Sequence, residues 1–315
     1  MKVALIIFII IFGTFAAGEI GLRVILGFGN PLIYVPDAEI GYLLAPNQRV
    51  RRLGNLIAIN QYSMRGNSIT PMPSEGTWRL LLLGDSVANG AWWTDQDETI
   101  SAQMSDRLQT IISESPENTG HVTVEVLNAS ANSWGPRNEL AFLRRMGSFG
   151  VRVVVLLINT DDLFAGAPSS VAVGRDRNYP DKKPPLAWWE LFTRYLLPAP
   201  KVPPAPKPTG DPVDNNLEAI RQINIFTQQN HSQLLLAMTP LLRETGQPGP
   251  RDYEHKARTR LLDLTQTESI SYIDFLPIFN DREQPAILYR DHIHLSPTGN
   301  QLVCQTICDA IEPLP

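Results

Sequence analysis

From Arg79 onward, short apolar runs alternate with longer amphipathic stretches, and this rhythm restricts the fold more than any other feature of the chain. "RLLLLG" (79–84), "VTVEVLN" (122–128), "VRVVVLLIN" (151–159), "QLLLAMTP" (233–240) and "SYIDFL" (271–276) read as five strands. Valine and leucine fill successive positions in them, so both faces of each strand are to be buried, as in a parallel sheet. The stretches between read as helices. In "ETISAQMSDRLQTII" (98–112), Ile100, Met104, Leu108 and Ile111 share one face. "PRNELAFLRRMGSFG" (136–150) has Pro at a plausible first turn and closes on Gly150. Two more helices follow over 215–230 and 253–268, and a last one from about Thr298 to Ile311. Strand–helix alternation implies an α/β fold, a three-layer α/β/α sandwich around a five-stranded parallel sheet with right-handed crossovers. The 315 residues suffice for one such domain of about 200–250 residues plus additions.

Those additions lie in two places. The chain opens "MKVALIIFIIIFGTFAAG", one lysine followed by a nearly unbroken apolar run, so residues 1–22 are expected to be a membrane anchor or signal sequence. No clean small-residue cleavage site follows it. An uncleaved anchor with Lys2 inside and an extracytoplasmic body, periplasmic or cell-surface, is therefore favoured over a cleaved signal and a secreted protein. Residues 23–76, rich in Pro, Gly and Asn from Asn30 on, are expected to form a neck packing irregularly on the main domain at 77–315. Within that domain a Pro-rich insertion at about 166–214 interrupts the rhythm. It holds an aromatic helix near Leu186–Leu197, whose Trp188 and Trp189 suit a lid over a cleft or a membrane contact.

A net charge of −5 argues against nucleic acid as a partner. The one basic stretch, Gln48–Gly54, reads as solvated. Two cysteines, Cys304 and Cys308, lie one helical turn apart and read as small core residues; neither a metal site nor a cofactor is implied.

Functional residues should gather where loops leave the carboxyl ends of parallel strands. The first strand leads into Gly84-Asp85-Ser86, and the far end of the chain carries Asp291 three residues before His294 in "YRDHIHLSPTGNQLV". A serine hydroxyl must lose its proton to a base as it attacks, histidine suits that exchange, and a carboxylate on the other ring nitrogen fixes the tautomer. His292 lacks such a paired acid and reads as an exposed loop histidine. Trp92, Trp93 and Trp134, with Asn132 and Asn159, are candidates to line the same cleft.

With these blocks in this order, the chain resembles the SGNH or GDSL-type serine hydrolases over roughly residues 79–311, the insertion excepted. The resemblance implies a flavodoxin-like sheet, esterase activity, and a triad of Ser86, Asp291 and His294. It also implies an oxyanion hole built from the backbone N–H of Ser86 and two further donors. One falls at Ser133, where "NASANSWG" has serine in the family's glycine position; the other falls at Asp161, where "NTDD" has aspartate for the family's asparagine. An ionised carboxylate only accepts hydrogen bonds and would repel the developing oxyanion. Asp161 is therefore protonated, or replaced as donor by Asn132 or Asn159, or used to hold a substrate hydroxyl. The resulting expectation is a membrane-tethered esterase that removes an acetyl-like acyl group from a carbohydrate or lipid. The alternatives are an O-acyltransferase modifying a surface polysaccharide and a non-catalytic surface protein binding a glycan or another protein.

Overall fold

The computed structural model describes residues 1–114, 122–205 and 209–311. In chain order its helices are α1 (Lys2–Val24), α2 (Ser86–Asn89), α3 (Ile100–Glu114), α4 (Pro136–Met146), α5 (Ala187–Tyr195), α6 (Pro212–Gln229), α7 (Asp252–Thr267), α8 (Phe275–Asn280) and α9 (Pro297–Ala310). Two antiparallel pairs, β1 (Tyr34–Asp37) with β2 (Gly41–Leu44) and β3 (Gln48–Arg52) with β4 (Asn55–Ile59), precede the main sheet. That sheet is wholly parallel, in the order β6 (Thr123–Ser130), β5 (Thr77–Gly84), β7 (Val153–Asn159), β8 (Gln233–Thr239), β9 (Ser271–Asp274).

The leucine run explains the layers. Side chains alternate across a strand, so Leu81 and Leu83 enter one core with Phe142 of α4 and Ile220 of α6, while Leu80 and Leu82 enter another with Met104 of α3 and Ile307 of α9. All four leucines are fully buried, so truncating any one to Ala would remove about 2–5 kcal/mol. Cys304 and Cys308 are buried in the second core.

Four details depart from the sequence reading. The helix beginning at Pro136 stops at Met146, because Gly147 turns left-handed (φ 85°) before Gly150 is reached. The fifth strand ends at Asp274, whose carboxylate accepts the Leu276 N–H and opens α8. The neck is regular rather than irregular: residues 34–59 form two hairpins. Leu53 and Gly54, both at positive φ, make the tight turn that a right-twisted hairpin requires. Val50 and Arg52 point inward and Arg49 and Arg51 outward, so the basic stretch is only partly solvated. Arg52 is buried and ion-paired at 2.7 Å with Glu190 of α5. Of the Pro-rich arm, residues 206–208 lie outside the described residues.

Candidate active site

The chain runs from β5 out to β6 on one side and then back to β7 on the other, so a crevice opens between the loops leaving β5 and β7. Gly84 sits there for lack of space, since a Cβ on it would lie 2.4 Å from the Leu157 carbonyl oxygen. Asp85 then caps α2 by accepting the Val87 N–H at 2.8 Å, and Ser86 occupies the first position of that short helix.

Ser86 Oγ lies 2.9 Å from His294 Nε2, and His294 Nδ1 lies 2.8 Å from Asp291 Oδ2. The other Asp291 oxygen accepts the N–H groups of Ile293 (3.0 Å) and His294 (2.8 Å). Burial acts to raise the Asp291 carboxyl, but those two N–H groups and the imidazole outweigh it and hold the group below its ordinary range. A carboxylate held ionised behind a ring nitrogen favours a proton on Nδ1, which leaves Nε2 free to accept from the serine. Trp93 packs edge-on against the imidazole, with ring centroids 4.5 Å apart, and Arg290 lies over the Trp93 ring at 5.2 Å. His292, by contrast, is exposed at the rim.

Beneath the serine lies a buried polar network. Asn159 Nδ2 donates to Asp85 (2.9 Å) and to Asp162 (2.8 Å), while its Oδ1 accepts the Asp161 N–H. The amide is thus committed on both sides. Burial raises the Asp85 carboxyl, partly offset by the Val87 N–H, His294 and Ser86. Burial, reinforced by the neighbouring acids, raises Asp162 and Glu139 well above the carboxylate range. Neither oxygen of Glu139 has a hydrogen-bond partner among the described residues. Sequence reasoning missed this cluster because its members come from the loops after β5 and β7 and from α4, with no common spacing.

A cavity of about 670 Å³ opens over Ser86 and His294. Trp92, Trp93, Asn132, Ser133, Asn159 and Asp161 line it. Trp134 does not: it is buried in the core, where its Nε1 donates to the Tyr42 carbonyl at 3.1 Å, because Tyr42 of the hairpin covers it. Ser133 adopts φ 58°, the left-handed conformation that glycine takes freely and serine enters at about 1–2 kcal/mol. The carboxylate of Asp161 is exposed and makes no hydrogen bond among the described residues. One amide atom of Asn132, Oδ1, is buried without a partner among them.

The rest of the wall comes from the hairpins, which sequence reasoning did not connect to the site, and from the insertion, whose aromatic helix suits a lid on sequence grounds: Tyr34 and Arg52 from the first, Tyr179, Arg194 and Tyr195 from the second. Tyr179 packs on Tyr34 and Tyr42 and donates its hydroxyl to Ser133 Oγ at 2.8 Å. The alternation around Gly54 was a usable signal for the hairpin; nothing in the sequence pairs it with Tyr179.

A serine, a histidine and a carboxylate hydrogen-bonded in line at the carboxyl end of a parallel sheet is an arrangement suited to nucleophilic acyl chemistry. The sequence profile of the GDSL-like lipase/acylhydrolase family matches residues 82–302, and the chain belongs to that family. No curated protein matches it in sequence. Among solved structures it is similar to a mutant of an acetyl-xylooligosaccharide esterase from Geobacillus, at 16% identity over 78% of this chain and 98% of that one, with a TM-score of 0.50. It is also similar to an acetyl xylan esterase (15% identity, 74% and 99% covered, TM-score 0.47) and to TesA (14% identity, 75% and 99% covered, TM-score 0.47).

Proposed function

We propose that this ester-bond hydrolase is a membrane-tethered, extracytoplasmic serine esterase that removes an acetyl-like acyl group from a carbohydrate or lipid alcohol. The observation that carries the reading is the unbroken line Ser86–His294–Asp291, with both contacts under 3 Å and the serine 208 residues from the histidine in the chain. Ser86 Oγ attacks the ester carbonyl while His294 Nε2 takes its proton, forming a tetrahedral oxyanion. The backbone N–H groups of Ser86, at the start of α2, and of Ser133 hold that oxyanion. His294 then protonates the leaving alcohol, and water repeats the sequence on the acyl-enzyme with release of the acid.

Aromatic walls interleaved with asparagines suit a sugar ring, which offers apolar faces and hydroxyl edges. The commitment of Asn159 to Asp85 and Asp162 weighs against that amide as an oxyanion donor, and the exposure of Asp161 on the cavity wall supports reading it as an acceptor for a substrate hydroxyl.

Support for the tether comes from α1. It is 23 residues long, every residue from Met1 to Phe15 is exposed, and it is apolar enough to cross a bilayer. Its last turns pack on α5, so removing the segment would strip a helix of its cap, which favours the uncleaved form. Hydrolysis of an aryl acetate by the full chain tests the chemistry. Activity that vanishes in Ser86→Ala supports it, and activity that persists unchanged overturns it.

A further inference from the structure

Helix α5 is built into the anchor. Its own N-cap residue, Leu186, provides no side-chain cap, and Glu19 of α1 supplies one instead, accepting the Ala187 N–H at 2.8 Å and the Trp188 N–H at 3.1 Å. Trp188 stacks on Phe15 with centroids 5.9 Å apart and donates its indole N–H to the Phe15 carbonyl at 3.1 Å. A side chain at Gly18 would collide with that indole at 2.4 Å. Arg23 closes the joint by bonding both Glu19 (2.6 Å) and the Pro185 carbonyl (3.1 Å). The opposite side of α5 is fixed to the hairpin domain, where Glu190 pairs with Arg52 and accepts the Gly29 N–H at 2.6 Å.

A third side is left largely uncovered by the described residues. Trp189, Phe192 and Leu196 repeat at helical spacing and are 53%, 44% and 71% exposed, and Tyr195 beside them is 61% exposed. Their level relative to α1 says what covers them. A hydrocarbon core about 30 Å thick takes about 20 helical residues, so a span beginning at Lys2 leaves the core near Leu22. The joint at Phe15–Arg23 therefore falls in the last turns of the span and the interface just above it, the layer where tryptophan and tyrosine are enriched.

Resting on the tethered-esterase reading, we propose that α5 is an interfacial helix whose Trp189–Phe192–Leu196 face lies on the bilayer that α1 spans. Arg194 and Tyr195 of the same helix form cavity wall. The active-site mouth is consequently held at the lipid surface, and the substrates it meets are acyl esters presented there.

The test uses the full chain in phosphatidylcholine vesicles carrying bromine high on the acyl chain, comparing the wild type with Trp189→Phe. Trp189 is outside the cavity wall and exposed, so both proteins should float with the vesicles and hydrolyse a soluble aryl acetate equally. Bromolipid should quench the wild-type tryptophan emission, and a distinct share of that quenching should disappear in Trp189→Phe. Equal quenching in two floating, active proteins would overturn the interfacial helix while leaving the esterase and the tether standing. Failure to float would overturn the tether and this inference together, with aryl acetate hydrolysis still reporting separately on the chemistry. As a second readout, Trp189→Ser with Leu196→Ser should lower the ratio of vesicle-embedded to soluble ester hydrolysis severalfold, and an unchanged ratio would count against it.

Discussion

Replacing Asp291 by asparagine isolates the orienting role proposed for the carboxylate. In the folded protein Asp291 Oδ1 accepts two backbone N–H groups and Oδ2 faces His294 Nδ1 at 2.8 Å. An asparagine keeps its carbonyl oxygen under the two N–H groups, since only that atom can accept from them, and so turns its NH2 toward the imidazole. Nδ1 must then accept, the ring proton moves to Nε2, and Nε2 faces the Ser86 hydroxyl at 2.9 Å with nothing left to take its proton. In serine proteases of the chymotrypsin type the same exchange of Asp for Asn traps the wrong tautomer and removes about 10⁴ in turnover, equivalent to about 5.5 kcal/mol of activation free energy. A loss of about 10³–10⁴ in kcat/KM is expected for Asp291→Asn here, against a stability change of only about 1–2 kcal/mol for exchanging charged for neutral acceptors. Asp291→Ala admits water beside Nδ1 and leaves the useful tautomer accessible, so it should be less damaging than the closer isostere. Aryl acetate kinetics with thermal melts of the three proteins provide the assay. A loss of less than about tenfold in well-folded Asp291→Asn, or an alanine variant worse than the asparagine one, would refute the tautomer argument.

Other consequences are open to measurement. If the proposed oxyanion forms beside residue 161, Asp161→Asn supplies a donor that a carboxylate lacks, so kcat on an aryl acetate, which has no hydroxyl for Asp161 to hold, should rise by about tenfold or more; an unchanged kcat would mean that no oxyanion forms near that side chain. Ser133→Gly relieves a left-handed serine but gives up the Tyr179 hydrogen bond and loosens the unfolded chain, so the melting temperature should stay nearly unchanged with activity kept, whereas Ser133→Val should lose both stability and activity. Two buried glutamates should give opposite pH trends in thermal melts. Burial raises Glu139, so its contribution is intact below an unfolded pKa of about 4.3 and is lost as pH rises toward the folded value; the stability advantage of Glu139→Gln should therefore widen upward from about pH 4. Glu254 is pushed down to about 2, first by Arg243, so its contribution is present above about pH 4.3 and lost as pH falls; Glu254→Gln should be the less stable protein at neutral pH, with the gap closing toward pH 2.

The sheet was readable because its strands are buried on both faces, which writes short continuous Leu and Val runs bounded by polar turns. The line of Ser86, His294 and Asp291 was readable for a different reason: the Asp–His pair sits within one tight loop, and the serine must leave the first strand at the crevice. The Tyr34, Arg52 and Tyr179 wall was not readable, because it depends on where the neck hairpins and the insertion fold back over the sheet, and that packing is decided by tertiary contacts such as Arg52–Glu190. Trp134 misled for the same reason. Its loop borders the site, but the Tyr42 carbonyl offers its indole N–H a buried acceptor, and the ring turns into the core. The neck's hairpins were lost to a reading of composition where the period-two alternation of Arg49 to Arg52 held the information.

At the centre of the proposed chemistry stands Ser86 as the nucleophile, made reactive by His294. Peptide mass mapping of the folded chain after treatment with a fluorophosphonate probe tests it most directly. One adduct is expected, on the Ser86 peptide, formed rapidly in the wild type and far more slowly in His294→Ala. An adduct on another residue, or a Ser86 adduct that forms equally fast without the imidazole, would contradict it.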